Sequence, residues 1–201
     1  MSSSSPKPLL CLASQSPRRR ALLTQIGVPH LVRPAHIDET PGAGEEPRAY
    51  VARMARTKAE SIGSLESLPV LAADTIVVRD GVTLGKPRGR AHGLEMLTLL
   101  SGREHLVLTA VALAHGGALH ARLSASTVRL RATSAEERAA YWESGEPEDK
   151  AGAYAIQGLG AIFVESLSGS YSGVMGLPLY ETAQLLALAG VPYGWQIGAR
   201  A

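Results

Sequence analysis

The order of apolar and polar residues follows two periodicities along this chain, one typical of strands and the other typical of helices. Short, mostly apolar runs predict strands at residues 9–13, 31–34, 70–78, 82–84, 104–114, 118–130, 154–157 and 161–166. Apolar residues spaced three and four positions apart predict helices at residues 17–26, 47–62, 91–100, 134–144 and 178–188. Hairpin signals at Asp80-Gly81 and Gly116-Gly117 interrupt this alternation. The pattern therefore predicts an α/β fold with a mixed, twisted sheet and flanking helices.

The composition is that of a single globular unit. The chain has 201 residues, of which 45% are hydrophobic and 19% charged, enough to bury a sizeable core. Residues 1–8 are rich in Ser and Pro, and no linker divides the remainder. We therefore expect residues 1–8 to form a disordered tail and residues 9–201 to form one domain.

The same numbers disfavour several classes of protein. No apolar run approaches the roughly 20 residues that cross a bilayer, and the N-terminal segment lacks the apolar core of a signal peptide. We therefore expect a cytoplasmic protein without a membrane partner. A net charge of +2 and an aromatic content of 4% argue against nucleic acid as a partner. The single Cys11 stands among apolar residues, so we interpret it as a core residue rather than a nucleophile.

The start of the first predicted helix has the features of an anion site. Ser16 is placed to cap the helix and Pro17 to fill its first turn. Arg18, Arg19 and Arg20 then crowd the end where the helix dipole is positive and repels cations. Free N–H groups together with guanidinium groups bind phosphate or carboxylate. The alternative is that these arginines are simply solvated.

Asp74 lies in the middle of an otherwise aliphatic strand, where an unpaired carboxylate is costly. It is either a metal ligand or general base, or one half of a structural ion pair. Asp38 and Glu39, on the loop before the second helix, add further acids, for which solvated surface charge is the alternative. Hard oxygen ligands together with several Arg and Lys residues suit Mg²⁺ with a polyphosphate.

Lysine is rare in this chain, which otherwise takes its positive charge from arginine. Only four of the 20 basic residues are lysine. Three of them, Lys58, Lys86 and Lys150, lie beside other candidate site residues, which indicates that a compact ammonium group is needed there. Surface charge is the alternative interpretation for Lys86 and for the neighbouring pair Asp149-Lys150.

Several standard catalytic motifs fail on inspection. Residues 81–87 are one residue shorter than a phosphate-binding P-loop and have Pro in place of Ser or Thr. Tyr171 stands where a nucleophile elbow needs serine. The six histidines never fall at metal-ligand spacing. The remaining candidates are spread along the chain.

Seven ordered blocks, taken together, resemble the Maf (septum formation) family of nucleoside triphosphate pyrophosphatases. They lie at residues 12–19 (LASQSPRR), 73–75 (ADT), 85–87 (GKP), 101–103 (SGR), 149–154 (DKAGAY), 156–158 (IQG) and 176–179 (GLPL). The resemblance implies hydrolysis of a nucleoside triphosphate between the α and β phosphates. It also implies an elongated fold, similar to that of inosine-triphosphate pyrophosphatases, with two lobes around a central cleft. A divalent metal, Mg²⁺ or Mn²⁺, and a homodimer are further expectations from the family.

The resemblance also implies roles for particular residues. Asp74 would accept the proton of the attacking water and, with Glu39, would hold the metal. Arg19, Lys58 and Lys86 would bind and neutralise the triphosphate. The competing hypothesis is a nucleotide-binding regulator of cell division or septation with little turnover.

Recognition of the base would rest on a second set of residues. Arg18, Thr75 and Gln157 look like those of the dTTP/UTP-hydrolysing branch rather than the 7-methyl-GTP branch. The amide of Gln157 has both a donor and an acceptor, which suits the O4/N3–H edge shared by thymine and uracil. Further contacts to the substrate are expected from Ser14, Asp149 and Lys150.

Overall fold

The structure is a computed structural model that describes residues 6–196. Residues 1–5 and 197–201 lie outside the described residues, so the extent of the predicted tail stays a prediction. Within residues 6–196 the strands are β1 (Leu10–Leu12), β2 (His30–Val32), β3 (Val70–Arg79), β4 (Val82–Leu84), β5 (Glu104–His115), β6 (Ala118–Leu130) and β7 (Val164–Ser168). The helices are α1 (Pro17–Gln25), α2 (Pro47–Gly63), α3 (Arg90–Leu100), α4 (Ala135–Glu143), α5 (Tyr171–Met175) and α6 (Leu179–Leu188). Across this range, none of the helices combines the length and the hydropathy needed to span a membrane.

The seven strands form one mixed sheet. Their order is β2-β1-β3-β5-β6-β7, and β4 pairs with the end of β3. β1 runs parallel to β2 and to β3, whereas the other paired strands are antiparallel. Because helices pack on both faces of this sheet, the predicted mixed α/β fold is confirmed.

Alternation along β3 distributes its side chains over the two faces of the sheet. Leu71 packs in one core with Leu23 of α1 and Leu185 of α6. Ala72 and Ile76 pack in a second core against α2. A third core lies at the far end of β3, against α3 and α4. β3 therefore contributes to all three cores, as does its neighbour β5.

The two edges of β3 are paired differently. One edge pairs with β5 along residues 70–78. The other edge pairs with β1 at residues 70–71 and with β4 at residues 77–79. The stretch between these last two ladders contains Asp74 and Thr75, which point to opposite faces of the sheet. The ladders thus leave the middle of β3 facing an opening.

The strand predicted at residues 154–157 is wrong. Tyr154, Ala155 and Ile156 are buried, as their apolar character indicates, but the segment is a loop that ends in a turn. Gly152 and Ala153 have φ values of 72° and 59°, so the chain changes direction just before this segment. It therefore stands beside the sheet rather than in it.

The strand predicted at residues 161–166 is correct only in its second half. The first residues belong to the short 3₁₀ turn Leu159–Phe163, and β7 follows it. The pattern also did not predict α5, which Ser170 caps by accepting a hydrogen bond from Gly173 N at 2.9 Å. Five residues are too few to show a helical periodicity.

Candidate active site

A cleft of about 540 Å³ opens beside the middle of β3. The start of α1, one face of α2 and the turns that follow α4 bound it. The residues to which the family resemblance gives a role all lie on its wall: Ser14, Arg18, Arg19, Glu39, Lys58, Asp74, Thr75, Lys86, Asp149, Lys150 and Gln157. Arg20 and Asp38, the other two candidates, are exposed and do not line it. Segments that are far apart in the chain therefore meet at one place.

Asp74 and Lys58 form a buried ion pair at this wall. Lys58 Nζ is 2.7 Å from Asp74 Oδ1 and also 2.7 Å from Glu39 Oε1. Lys58 and Asp74 are each 8% exposed, whereas Glu39 lies on an exposed loop. The aliphatic part of the Lys58 side chain is buried on the apolar face of α2. Its ammonium group extends beyond this face and pairs with the carboxylates of Asp74 and Glu39. The ion pair borders the cleft, so the same groups are available to a bound molecule.

The carboxylates of Asp74 and Glu39 fit a divalent metal. They already share one cation, the ammonium group of Lys58. Mg²⁺ commonly binds through one or two carboxylates together with the phosphates of a substrate. In the part of the chain that the structure describes, no group of three or more His, Cys, Asp and Glu side chains is placed to hold a metal. The donor set therefore fits a cation that arrives with, or is completed by, phosphate oxygens.

The guanidinium group of Arg19 is held by three parts of the chain. Nε donates to Gly176 O at 2.7 Å, Nη1 to Ser14 Oγ at 3.1 Å and Nη2 to Thr75 Oγ1 at 3.3 Å. Burial lowers the pKa of Arg19, and the nearby charge of Asp74 opposes this shift. Arg19 thereby ties the start of α1 to β3 and to the segment after α5.

Thr75 belongs to a chain of hydrogen bonds on the face opposite to Asp74. Its Oγ1 lies 3.0 Å from Thr109 Oγ1, and Thr109 donates to Gly173 O at 2.7 Å. Because a hydroxyl group has one hydrogen, Thr75 must be the donor to Thr109. Thr75 Oγ1 accepts from Arg19, so its orientation is determined by the protein before any substrate binds.

Asp149 connects the two sides of the cleft. Its Oδ2 accepts from Arg18 Nη1 at 3.0 Å, and its other oxygen pairs with Lys150. Burial opposes ionisation of Asp149, but the hydrogen bonds from Lys150 and Arg18 outweigh it and lower the pKa of the carboxyl group. Lys150 Nζ also donates to Glu146 O at 3.0 Å. These bonds join the first turn of α1 to the turns after α4.

Lys86 and Gln157 are exposed on the wall of the cleft. Gly152 N donates to Gly85 O at 3.1 Å, which fixes the turn that carries Lys86 against the turns after α4. Their ammonium and amide groups are therefore presented to the solvent in the cleft by fixed backbone.

Two tyrosines that line the cleft, Tyr50 and Tyr154, were given no role from the sequence. Tyr50 contacts Glu39, and Tyr154 is close to Gln157 in the chain. Tyr50, on the apolar face of α2, donates its hydroxyl group to Glu39 O at 2.9 Å. The hydroxyl group of Tyr154 lies 2.8 Å from His105 Nε2. Burial raises the pKa of Tyr154, and burial with the charge of Arg79 lowers the pKa of His105 to about 4. The sequence could not predict these contacts, because a tyrosine in an apolar run does not reveal where its hydroxyl group points.

Comparison with known protein families identifies the family of this chain. A family model described as "Maf-like protein" matches residues 9–189. The chain belongs to the Maf family. The resemblance carried by the seven sequence blocks is thereby confirmed.

Curated relatives of this Maf protein match over most of both chains. A protein of Neisseria meningitidis named dTTP/UTP pyrophosphatase is 49% identical over 185 residues, which are 88% of this chain and 92% of the relative. A protein of Bordetella parapertussis with the same name is 54% identical over 194 residues, 92% and 94% of the two chains. Among solved structures, the Ham1 protein of Staphylococcus aureus is 12% identical, with a TM-score of 0.45 over 60% of this chain and 71% of its own.

Proposed function

We propose that this Maf protein is a nucleoside triphosphate pyrophosphatase that hydrolyses dTTP and UTP to the monophosphate and pyrophosphate. The observation that carries the proposal is the arrangement of the cleft, in which one buried carboxylate, Asp74, faces cations from separate segments of the chain. Relatives that share about half of their residues with this chain carry the name dTTP/UTP pyrophosphatase, which supports the same substrates here.

We assign activation of the attacking water to Asp74, which would accept its proton. Attack on the α-phosphorus forms a bond to the water oxygen, breaks the bond to the bridging oxygen and releases a proton that a general base accepts. Asp74 lies at the wall of the cleft, and Lys58 holds its carboxylate in one position. A carboxylate held by a fixed partner at the wall of the cleft is placed to accept this proton from a water bound there.

Asp74 and Glu39 would hold the divalent metal, Mg²⁺ or Mn²⁺, that the family implies. When bound, the metal supplies positive charge that neutralises the phosphate oxygens. Both carboxylates bind Lys58, and each has an oxygen 2.7 Å from its Nζ atom. Lys58 thus keeps the two carboxylates close to one another. Asp74 would therefore act on charge as well as in proton transfer, whereas Glu39 would act on charge alone.

Arg19, Lys58 and Lys86 would bind the triphosphate. Pyrophosphate leaves with several negative charges, so cations placed around it lower the energy of the transition state. Lys86 is exposed on the wall of the cleft, whereas the guanidinium group of Arg19 is already held by protein partners. Backbone N–H groups of the first turn of α1 contribute little here, because Pro17 has none and those of Arg19 and Arg20 already donate to Ser16.

Arg18, Thr75 and Gln157 would select the base, and Ser14, Asp149 and Lys150 would complete the substrate site. Gln157 can donate to O4 and accept from N3–H of thymine or uracil. Thr75 and Arg18 are already oriented by Arg19 and Asp149, respectively. A fixed set of polar groups rejects a base that leaves them unpaired.

The test is pyrophosphate release from a panel of canonical and modified nucleoside triphosphates with Mg²⁺, with Mn²⁺ or with EDTA. We expect metal-dependent turnover of dTTP and UTP, with the monophosphate as the second product. Binding of nucleotides without turnover would contradict the proposal and favour a regulator. Preference for 7-methyl-GTP would contradict the assignment of the base.

A further inference from the structure

Glu146, which does not line the cleft, anchors the loop that carries Gln157. It lies in the turn after α4, and its carboxylate accepts three hydrogen bonds. Tyr141 Oη donates to Oε1 at 2.6 Å, Gly160 N donates to Oε1 at 2.9 Å, and Leu159 N donates to Oε2 at 2.9 Å. One side chain therefore holds the backbone on the C-terminal side of Gln157.

Tyr141 extends this anchor to the other side of Gln157. Its hydroxyl group, besides donating to Glu146, accepts from Ala155 N at 3.1 Å. Tyr141 is only 6% exposed, and its ring packs edge-on against Phe163. Gln157 thus lies midway between two backbone segments that are bound to the same Tyr–Glu pair.

The backbone around Gln157 fits closely against the carboxylate. A Cβ atom on Gly158 would lie 1.9 Å from Glu146 Oε2, and one on Gly160 would lie 2.6 Å from the hydroxyl oxygen of Tyr141. Only glycine leaves room for Glu146 and Tyr141 to reach these segments. Because the loop at residues 154–157 is not part of the sheet, its position depends on contacts of this kind.

Glu146 also holds a second residue of the cleft. Its backbone carbonyl accepts from Lys150 Nζ at 3.0 Å. Burial of Glu146 favours its neutral form, but the hydrogen bonds from Tyr141, Gly160 and Leu159 lower the pKa of its carboxyl group. The carboxylate is thus ionised at neutral pH, with both oxygens acting as acceptors.

We propose that Glu146, acting with Tyr141, is a positioning residue for base selection, in that it fixes the loop from which Gln157 reads the pyrimidine ring. The inference rests on the proposed function, in which Gln157 contacts the base. An amide rotated by half a turn exchanges its donor and its acceptor, and would then match cytosine instead of uracil. The anchor does not itself set this rotation, but it sets the position from which the amide meets the O4/N3–H edge, and both hydrogen bonds of the uracil-matching amide need that position.

The variant that tests the proposal is Glu146→Gln, which keeps the size of the side chain. An amide has only one oxygen, so in either orientation its NH₂ group faces a backbone N–H, of Leu159 or of Gly160. We expect the ratio of kcat/KM for UTP over CTP to fall by about tenfold, with a higher KM for UTP and a kcat that changes by less than about threefold. The control is Glu148→Gln, which changes an exposed acid in the same turn and should leave the ratio unchanged.

Tyr141→Phe provides a second test that does not depend on the first. It removes both the donor to Glu146 and the acceptor of Ala155 N while keeping the ring in the core. The same fall in the UTP over CTP ratio is expected. A merely structural role would lower the fraction of active protein and therefore reduce turnover of both nucleotides equally.

An unchanged ratio in both Glu146→Gln and Tyr141→Phe would overturn the proposal, as would an equal loss of activity with UTP and CTP. Failure of the proposed function is a different result, because it would show as a wild-type protein that does not turn over UTP or dTTP. The wild-type measurement therefore separates the two failures before any variant is compared.

Discussion

The ammonium group of Lys58 lies 2.7 Å from the carboxylate of Asp74, and both side chains are almost withdrawn from solvent. The pair joins α2 to the middle of β3 at the wall of the cleft. Removing one partner of a buried ion pair leaves the other charge buried and unpaired, which is far more costly than loss of a surface pair. The pair therefore has a structural consequence as well as a chemical one.

Lys58→Met should lower the free energy of unfolding by about 3 kcal/mol, because Asp74 loses its buried counter-ion. Denaturant unfolding measures this change. The control is Arg90→Met, which removes an exposed ion pair with Glu143 and should cost less than about 1 kcal/mol. Equal losses in the two variants would mean that burial of the Lys58 pair is unimportant for stability.

Asp74→Asn should reduce turnover of UTP by about a thousandfold while nucleotide binding is largely kept, because the amide cannot accept the proton of the attacking water. Steady-state pyrophosphate release and calorimetric binding of dTTP measure the two quantities. Asp80→Asn, at the exposed turn between β3 and β4, is the matched control, since asparagine tolerates its φ of 50°. Undiminished turnover in Asp74→Asn would remove this residue from the mechanism.

Gln157→Ala should abolish the preference for pyrimidine nucleotides, while turnover of other nucleotides survives. The amide is exposed on the wall of the cleft, so its removal leaves the packing of the fold intact. The measurement is the ratio of kcat/KM values across the nucleotide panel. Gln25→Ala, on the exposed side of α1, should leave this ratio as it is; an unchanged profile in Gln157→Ala would exclude its role in base selection.

His105 should make the stability of the protein depend on pH in the acid range. Burial, with the charge of Arg79, lowers its pKa in the folded state from 6.5 to about 4. As the pH falls below 6.5, the unfolded state binds the proton first, so stability is lost between pH 6.5 and about 4. The loss reaches about 3 kcal/mol at most.

Unfolding measured between pH 7 and pH 4 checks this dependence. His105→Asn should be less stable at pH 7, because the bond to Tyr154 is disturbed, but its stability should change less with pH. A slope equal to that of the wild-type protein would assign the effect to other groups.

Local signals predicted most of the fold. The Ser16 cap with Pro17 defined the start of α1. The helix predicted at residues 134–144 begins in the structure with a capping box of Ser134 and Glu137, which is a local signal of the same kind. These signals work because both partners of each contact lie within one helical turn. The long strands β5 and β6 were equally clear, since β5 is one mostly apolar run of 12 residues and β6 alternates in exposure over 13.

The candidate site was predictable as a set of residues but not as an arrangement. Nothing in the sequence pairs Lys58 with Asp74 rather than with another acid, because the two positions are joined only when α2 packs on β3. The anchor of Glu146 was hidden for the same reason, since its partners are backbone amides that no pattern of residue types reveals. The positive φ of Ala153 turned an apolar run away from the sheet, which explains the one strand that was wrongly predicted outright.

The continuous pairing of β3 with β5 bears on how the cleft responds to a nucleotide. The parts of the protein on either side of the opening are joined through one uninterrupted ladder that extends over residues 70–78 of β3. We therefore expect walls connected in this way to approach one another by twisting and bending of the paired strands rather than by rotation about a flexible segment. The width of the cleft would therefore depend on the stiffness of the sheet. Substitutions in β6, on the other edge of β5, would then change which nucleotides fit without contacting them.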